Sequence, residues 1–452
     1  MGELPGDILG LDVTEIDGFD NLHQAEGILR RLQEEANELY RAGETFYLIN
    51  GSTVGILSAV SAVLPEGGHL LMARNCHKSV YHAAYLRKLK LSYLYPARVQ
   101  GFEFCEAVTA GQVEQALERE PDIGAVLIVS PTYEGRIADV REIARVVHGK
   151  GLPLIVDEAH GAHLGFAKGF APGSCTEGAD LVIHSVHKTL PALTQTALLH
   201  VNGSLVDRER LRRFLHIYQT SSPSYLLMAS IEDAMEAVRQ GQERFDWFSA
   251  RYRRMLTNLR ECRVLRLAPW RDVERGRQDI GKLVIAADRA GMSGQWLYDE
   301  LRDKYHLQCE MSAGAYCLAM FTMADDEEAY TRMERALIQI DRELAEKMSQ
   351  WTDSVRPRRV FSPPKIAYSL AEAWDMPYKM TRLSDSIDCP VAEFINLYPP
   401  GIPLLAPGEV MTEELCGEIM ESRAQGLNVQ GIEEREGDCF VKAIKKDRSL
   451  GV

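Results

Sequence analysis

Between residues 45 and 201 the chain alternates short apolar runs with stretches whose apolar positions recur at helical spacing. The runs 45–49, 69–73, 91–95, 125–129, 152–156, 180–183 and 196–201 predict seven strands. The stretches 54–64, 79–88, 109–118 and 140–148 between them predict helices. Strands that alternate with helices argue for an α/β fold with a mostly parallel sheet covered on both faces. Ligands of such sheets sit at the carboxyl ends of the strands. Upstream, Leu22, Ala25, Ile28, Leu29, Leu32, Ala36 and Leu39 keep a helical period over 22–41. Downstream, 206–218 and 226–258 read as longer helices, the second bridging two domains. A further region follows from Cys262, with strands at 282–287 and 316–322 and helices at 293–305 and 327–348. The proline-containing stretch 355–365 reads as a linker, ahead of a mixed tail with a turn-rich segment at 398–409. The expected division is a segment and helix at 1–45, a large domain at 46–260 and a smaller α+β domain at 261–452.

A chain of 452 residues is long enough for two or three domains, each with a full core. Its net charge of −14 argues against nucleic acid as a partner, since phosphate binding needs basic patches. Nine cysteines form no C-x-x-C pair, and no signal peptide precedes them. Reduced thiols and a cytoplasmic location are therefore expected. No run reaches the roughly 20 apolar residues of a membrane-spanning helix.

The strand ends carry the chemistry. Asp157 closes one apolar run, and Lys188 lies just past the run that ends in His184-Ser185. An acid and a lysine on neighbouring strand ends match the needs of pyridoxal 5'-phosphate (PLP). The lysine forms a Schiff base with its aldehyde, and the acid keeps the pyridine nitrogen protonated so that the ring draws electrons. Such a lysine must spend time neutral, and burial lowers its pKa in that direction. Asn50-Gly51-Ser52-Thr53-Val54-Gly55 opens a helix after a strand and suits a phosphate cradle, with Ser52 and Thr53 adding hydroxyls. Simple helix capping is the alternative. Ser185 can also meet a phosphate. His77, in Arg74-Asn75-Cys76-His77-Lys78-Ser79, could stack on a cofactor ring or sit in a solvent-facing turn. Thr132, in Ser130-Pro131-Thr132-Tyr133-Glu134-Gly135, could bond the cofactor's phenolic oxygen or the substrate, or shape a turn.

Asp157-Glu158-Ala159-His160 invites a helicase reading, but no G-x-x-x-x-G-K-[ST] phosphate loop lies upstream. With Asp157 as the pyridinium partner, Glu158 and His160 flank the ring or the substrate. The pairs His160 and His163, and His184 and His187, suggest a metal site only without the carboxylate or thiolate that usually completes one, so no metal is expected. Ser185-x-x-Lys188 could mark a serine nucleophile with a lysine base, but the S-D-N and K-T-G partners of that class are missing.

These motifs occur in order with His187-Lys188-Thr189-Leu190-Pro191-Ala192-Leu193-Thr194-Gln195-Thr196, Thr220-Ser221-Ser222-Pro223-Ser224-Tyr225 and Tyr398-Pro399-Pro400-Gly401-Ile402-Pro403. Together they closely resemble the Orn/Lys/Arg decarboxylase family, in the short form without an N-terminal wing. The resemblance implies a fold-type I PLP enzyme with a seven-stranded large domain and a smaller C-terminal domain. It implies that Lys188 holds the cofactor, Asp157 pairs with the pyridine nitrogen and His77 stacks on the ring. Ser52, Thr53 and Ser185 would hold the phosphate, with Thr132, His160 and His187 close to the ring. Ser221 looks like the residue that reaches the phosphate of a neighbouring subunit, which implies a homodimer or larger assembly with shared sites. The implied reaction is decarboxylation of a basic amino acid to agmatine or a diamine, with the proton returned by Lys188 or His187. Aminotransfer, aldol cleavage and a non-catalytic PLP-fold protein are the alternatives. Glu15, Asp17 and Asp20 are candidates for the substrate's side-chain cation. Two places depart from the family pattern. The Pro-Gly-His-Lys segment that usually precedes Leu11–Ile16 is not present in this sequence, which bears on closure of the site. Ser386-Ile387-Asp388-Cys389-Pro390 stands where relatives more often have a Gly-Arg turn, which bears on the substrate end of the pocket.

Overall fold

Every one of the seven apolar runs becomes a strand of one sheet. They are β1 (Glu44–Leu48), β2 (His69–Ala73), β3 (Lys90–Leu94), β4 (Ala125–Val129), β5 (Leu154–Asp157), β6 (Leu181–Ser185) and β7 (Ala197–Val201). The computed structural model describes residues 6–99, 102, 104–268, 273, 275–347, 363–399 and 401–444. The strand order is β1-β7-β6-β5-β4-β2-β3, parallel from β3 to β6, with β7 antiparallel to both of its neighbours. β2, β5, β6 and β7 are buried at every position, so they read as unbroken apolar runs rather than as alternating ones. β5 begins two residues later than its apolar run because Pro153 has no N–H to donate.

The two faces feed two cores. Leu48, Ile183 and Leu199 point into the first, which they share with α3 (Gly51–Val63), α4 (Lys78–Leu86), α5 (Ala110–Arg119), α6 (Val140–His148) and α8 (Arg208–Tyr218). Tyr47, Ile49 and Leu198 point into the second, with α2 (Ile28–Tyr40), α9 (Tyr225–Gln240) and α10 (Gln242–Asn258). Side-chain caps start several of these helices: Thr109 and Gln112 form a reciprocal capping box at α5, and Asp139 accepts from Glu142 N at α6. The helix expected over 226–258 is two helices. Gly241 breaks it, its backbone turned so that an added Cβ would run into the Ala237 carbonyl. α3 lies unusually close to the sheet, because a Cβ at Gly55 would meet Leu48 Cδ1 at 2.7 Å and Ile183 Cγ2 at 3.0 Å.

After α10 the chain forms a four-stranded antiparallel sheet, ordered β10-β11-β9-β8, from β8 (Arg266–Leu267), β9 (Lys282–Ala286), β10 (Met311–Ser312) and β11 (Cys317–Met320). Helices α11 (Gly294–Tyr305) and α12 (Glu327–Lys347) pack on it and extend the second core. The expected linker at 355–365 lies outside the described residues except for 363–365. Residues 363–444 then form two three-stranded sheets. One contains β12 (Tyr378–Arg382), β16 (Glu433–Arg435) and β17 (Asp438–Ile444). The other contains β13 (Ile395–Leu397), β14 (Ile402–Leu405) and β15 (Val429–Gln430). This unit has its own small core around Leu383, Val391 and Met411, while Leu370, Phe394 and Ala406 join the first core. A buried clamp ties it down: Arg74, at the end of β2, makes a two-pronged bond to Glu409 (2.8 and 3.2 Å) and donates to the Pro403 carbonyl at 2.7 Å. All nine cysteines are free. No helix among the described residues is long and apolar enough to cross a membrane.

Candidate active site

β5 and β6 are parallel neighbours, so Asp157 pairs with Ile183 and Ser185 follows two residues on, at the same carboxyl end of the sheet. A single helical turn, α7 (Val186–Thr189), follows β6 and carries His187 and Lys188. Asp157 is buried, and burial raises its pKa, opposed by the charge of Lys188 and a hydrogen bond from Ala159 N at 3.2 Å. Burial lowers the pKa of Lys188, opposed by Asp157 and Glu310. The lysine is thus driven toward the free amine. The buried carboxyl lacks a fixed cation of its own at hydrogen-bonding distance among the described residues.

The phosphate candidates gather around the same end of the sheet. Gly51, Ser52 and Thr53 form the first turn of α3, with Ser52 half-buried and Thr53 exposed. Their cap residue, Asn50, does not bond back into the helix. Its amide oxygen accepts from Thr220 N at 3.0 Å, which leaves the N–H groups of Ser52 and Thr53 for another acceptor. The loop after Lys188 binds this turn through Gly51 N to the Gln195 carbonyl at 2.9 Å and Gln195 Nε2 to the Ile49 carbonyl at 2.6 Å. Ser185 Oγ and Thr189 Oγ1 are buried and without a hydrogen-bond partner among the described residues. Orphaned buried hydroxyls need an acceptor or donor that the chain itself does not supply. These features fit PLP: an amine for its aldehyde, an acid for its nitrogen, and a helix start with unspent donors for its phosphate.

His77 caps α4, and its Nδ1 accepts from Ser79 N at 3.2 Å. Burial, then the charge of Lys188, pushes its pKa down to about 4, so it is a neutral ring at pH 7. His187 bonds through Nδ1 to the Thr196 carbonyl at 2.9 Å, which leaves Nε2 as its acceptor. His160 Nε2 lies 3.0 Å from Lys188 Nζ, and the ring meets Tyr133 edge-to-face with centroids 4.7 Å apart.

Other expected positions turn away. The single hydroxyl proton of Thr132 is spent on Glu134 at 3.3 Å, and its oxygen accepts from Arg136 N at 3.1 Å, so Thr132 holds a turn rather than offering a donor. Glu158 does not flank the centre: it accepts from Ser174 N and bonds His184 at 2.8 Å, tying down the loop at 173–174. His163 pairs with Asp279 at 2.8 Å. Ser221, expected to serve a second copy, keeps an exposed place beside Thr220, whose N–H bonds Asn50 of its own chain. The carboxylate of Asp20 accepts from the backbone N–H of Asn21, Glu26, Gly27 and Leu29, which commits it to the start of α2. Asp388 takes a left-handed backbone (φ 60°), which Asp tolerates better than most residues, so the turn keeps its shape without glycine.

Sequence reasoning missed two groups. Lys282, at the start of β9, is 2% exposed and puts Nζ 2.7 Å from His160 Nδ1. Glu310, just before β10, bonds the Tyr133 hydroxyl, and its charge reaches Lys188 and Lys282. A charged residue opening the otherwise apolar run Leu283-Val284-Ile285-Ala286 was the available signal for Lys282.

A mostly parallel seven-stranded sheet with one reversed strand, bearing this lysine and acid at adjacent strand ends, is the large domain of fold-type I PLP-dependent enzymes. Solved structures bear out the fold. The Francisella novicida lysine decarboxylase superposes with a TM-score of 0.79 at 18% identity, covering 94% of this chain and 73% of that one. Lysine decarboxylase A from Pseudomonas aeruginosa gives 0.78 at 20% identity, covering 96% and 74%. In sequence, an arginine decarboxylase of Halalkalibacterium halodurans is 30% identical over 98% of this chain and 90% of its own length. That of Bacillus subtilis is 29% identical with the same coverage. The profile of the Orn/Lys/Arg decarboxylase major domain matches residues 4–266, and the chain belongs to that family.

Proposed function

We propose that this chain decarboxylates a basic L-amino acid (arginine, lysine or ornithine) to agmatine or a diamine, using PLP held by Lys188 in a domain spanning 46–260. The observation that carries the reading is the buried Asp157 at the end of β5 and the half-buried Lys188 in the turn that follows the neighbouring β6, beside the unpartnered hydroxyl of Ser185. When bound, PLP supplies an electron sink for the pair left on the α-carbon as carbon dioxide departs.

The chain's own groups set the stage for that step. Lys188, held toward its neutral form by burial, offers a nucleophilic amine and afterwards a base close to the α-carbon. Asp157 gives the pyridine nitrogen a fixed negative partner in a dry site, where such a charge acts strongly. Ser52, Thr53, Ser185 and the start of α3 hold the phosphate. His77 covers one face of the ring as a neutral imidazole, and His160 addresses its edge. Either Lys188 or His187 Nε2 returns the proton to the α-carbon. Ser221 reaches the phosphate of a second copy, so the working unit is a homodimer or larger. We assign the side-chain cation to Glu310, which lines a cleft of about 190 Å³ with Tyr298, Tyr398 and Asn428. Polyamine supply in the cytoplasm is the corresponding role.

The test is the purified protein with added PLP. Visible absorption from the attached cofactor, and carbon dioxide release from one of the three basic amino acids, are expected. A keto acid or an aldehyde as product would overturn the reaction assignment. Absence of any attached cofactor would overturn the site.

A further inference from the structure

Lys282 reaches the site from the C-terminal sheet. Its stem passes over Gly135, where a Cβ would meet Lys282 Cβ at 2.7 Å, so glycine at this turn (φ 94°) opens the passage. Its ammonium ends 2.7 Å from His160 Nδ1, 3.0 Å from Met320 Sδ and 5.5 Å from the Tyr133 ring centroid. No carboxylate among the described residues bonds it directly. Asp279, Glu310 and Glu134 act on it through space, while the charge of Lys188 opposes them.

The chain Lys282–His160–Lys188 carries a bookkeeping constraint. A neutral imidazole has one bare nitrogen and one N–H. Two ammonium groups cannot both donate to it. With hydrogen bonds at both nitrogens, one lysine is the donor and the other must be an amine that accepts. Burial lowers the pKa of both lysines, with Asp279, Glu310 and Glu134 acting against it on Lys282 and Asp157 and Glu310 acting against it on Lys188. A lysine that attacks an aldehyde does so as the free amine, so in the reactive state Lys188 is the acceptor and the cation resides on Lys282.

We propose that Lys282 is a positioning residue: it donates to His160 Nδ1, fixes the Nε2–H tautomer, and so leaves Lys188 Nζ as the acceptor, a free amine ready for the aldehyde. Once PLP occupies the site, the same Nε2–H is a donor aimed at whatever oxygen replaces the amine. The inference rests on the assignment of Lys188 above, but the tautomer of His160 can be read without it.

The experiment is 15N-histidine NMR on the full chain without PLP at pH 6.5, with His160→Gln to assign the signal. His160 is expected as the Nε2–H tautomer in the wild type and in Lys282→Arg, which keeps a donor. Lys282→Met should shift the signal toward Nδ1–H or a mixture. PLP attachment to Lys282→Met at pH 7, followed by the rise of visible absorption, should slow by roughly ten- to hundred-fold, the range for losing an outer group that orients an active side chain. Lys282→Arg should recover most of that rate. Burial brings Lys282 to about 8, against the acids Asp279, Glu310 and Glu134 and the bases Lys188 and His160 around it. The wild-type signal should therefore lose its fixed tautomer above that pH, a readout that survives if Lys282→Met does not fold. A wild-type Nδ1–H tautomer at pH 6.5, or an unchanged signal in Lys282→Met, would overturn the proposal. Failure of PLP to attach to wild type, with the tautomer as stated, would overturn the proposed function and leave this inference standing.

Discussion

Lys188 and Asp157 divide the labour at the scale of single residues. Replacing Lys188 by Ala should abolish borohydride-trapped cofactor and cut carbon dioxide release by on the order of 10³-fold or more, since the nucleophile and its proton are both lost. Asp157→Asn keeps the shape but removes the charge. Turnover should fall by about 10²–10³-fold, with PLP still covalently attached. Glu310→Gln is expected to raise KM for the basic substrate by roughly ten- to hundred-fold, the cost of a charge-assisted hydrogen bond, while kcat changes little. Lys282 also marks the pH profile of stability. Its folded pKa of about 8 lies below the 10.5 of a free lysine, so between those values the unfolded chain binds more protons. Stability of the wild type relative to Lys282→Met should therefore rise as pH increases from 8 to 10.5, checked by urea titrations across that range.

Helices and strands put these residues in place, and most of that placement was legible. The runs at 69–73 and 125–129 match β2 and β4 to the residue, because strands buried on both faces leave uninterrupted apolar sequence. Asp157 and the Ser185–Lys188 turn were legible because each abruptly ends such a run. What escaped notice depends on contacts between distant segments. Nothing local to Lys282 shows that it crosses to His160, some 120 residues away, nor to Thr132 that its proton goes to Glu134. The break at Gly241 was visible as a glycine, but one glycine inside a helical period is tolerated often enough to be read through. Gly55 makes the corresponding test for an element. Gly55→Val should destabilise the fold by about 1–3 kcal/mol by pushing α3 off Leu48 and Ile183, and should weaken PLP binding with it. Denaturant unfolding and a cofactor titration on the same variant separate the two effects.

At the scale of the molecule, the buried Arg74–Glu409 ion pair is at the centre of the attachment of the C-terminal unit, with Arg74 bonding the Pro403 carbonyl, Lys78 N the Gly401 carbonyl and the Tyr85 hydroxyl Asp375 beside a strip of apolar contact. Arg74→Met leaves Glu409 buried without its partner and should cost about 3–5 kcal/mol. Limited proteolysis should then cut first within 363–444. The double change Arg74→Met with Glu409→Leu should recover much of the loss, because an apolar pair of similar volume removes the stranded charge. The sheet's order also has a bearing on how the chain is made. Among the described residues β1 lies at one edge and pairs only with β7, Glu44 against Val201. The ribosome therefore releases the first strand long before its partner exists. At about 5–20 residues per second, the intervening stretch of roughly 150 residues takes on the order of 8–30 s to emerge. For that interval the alternating apolar side of Phe46–Leu48 has no sheet to join. The nascent chain thus carries an unpaired edge through most of its synthesis, and the large domain closes only when its one reversed strand arrives.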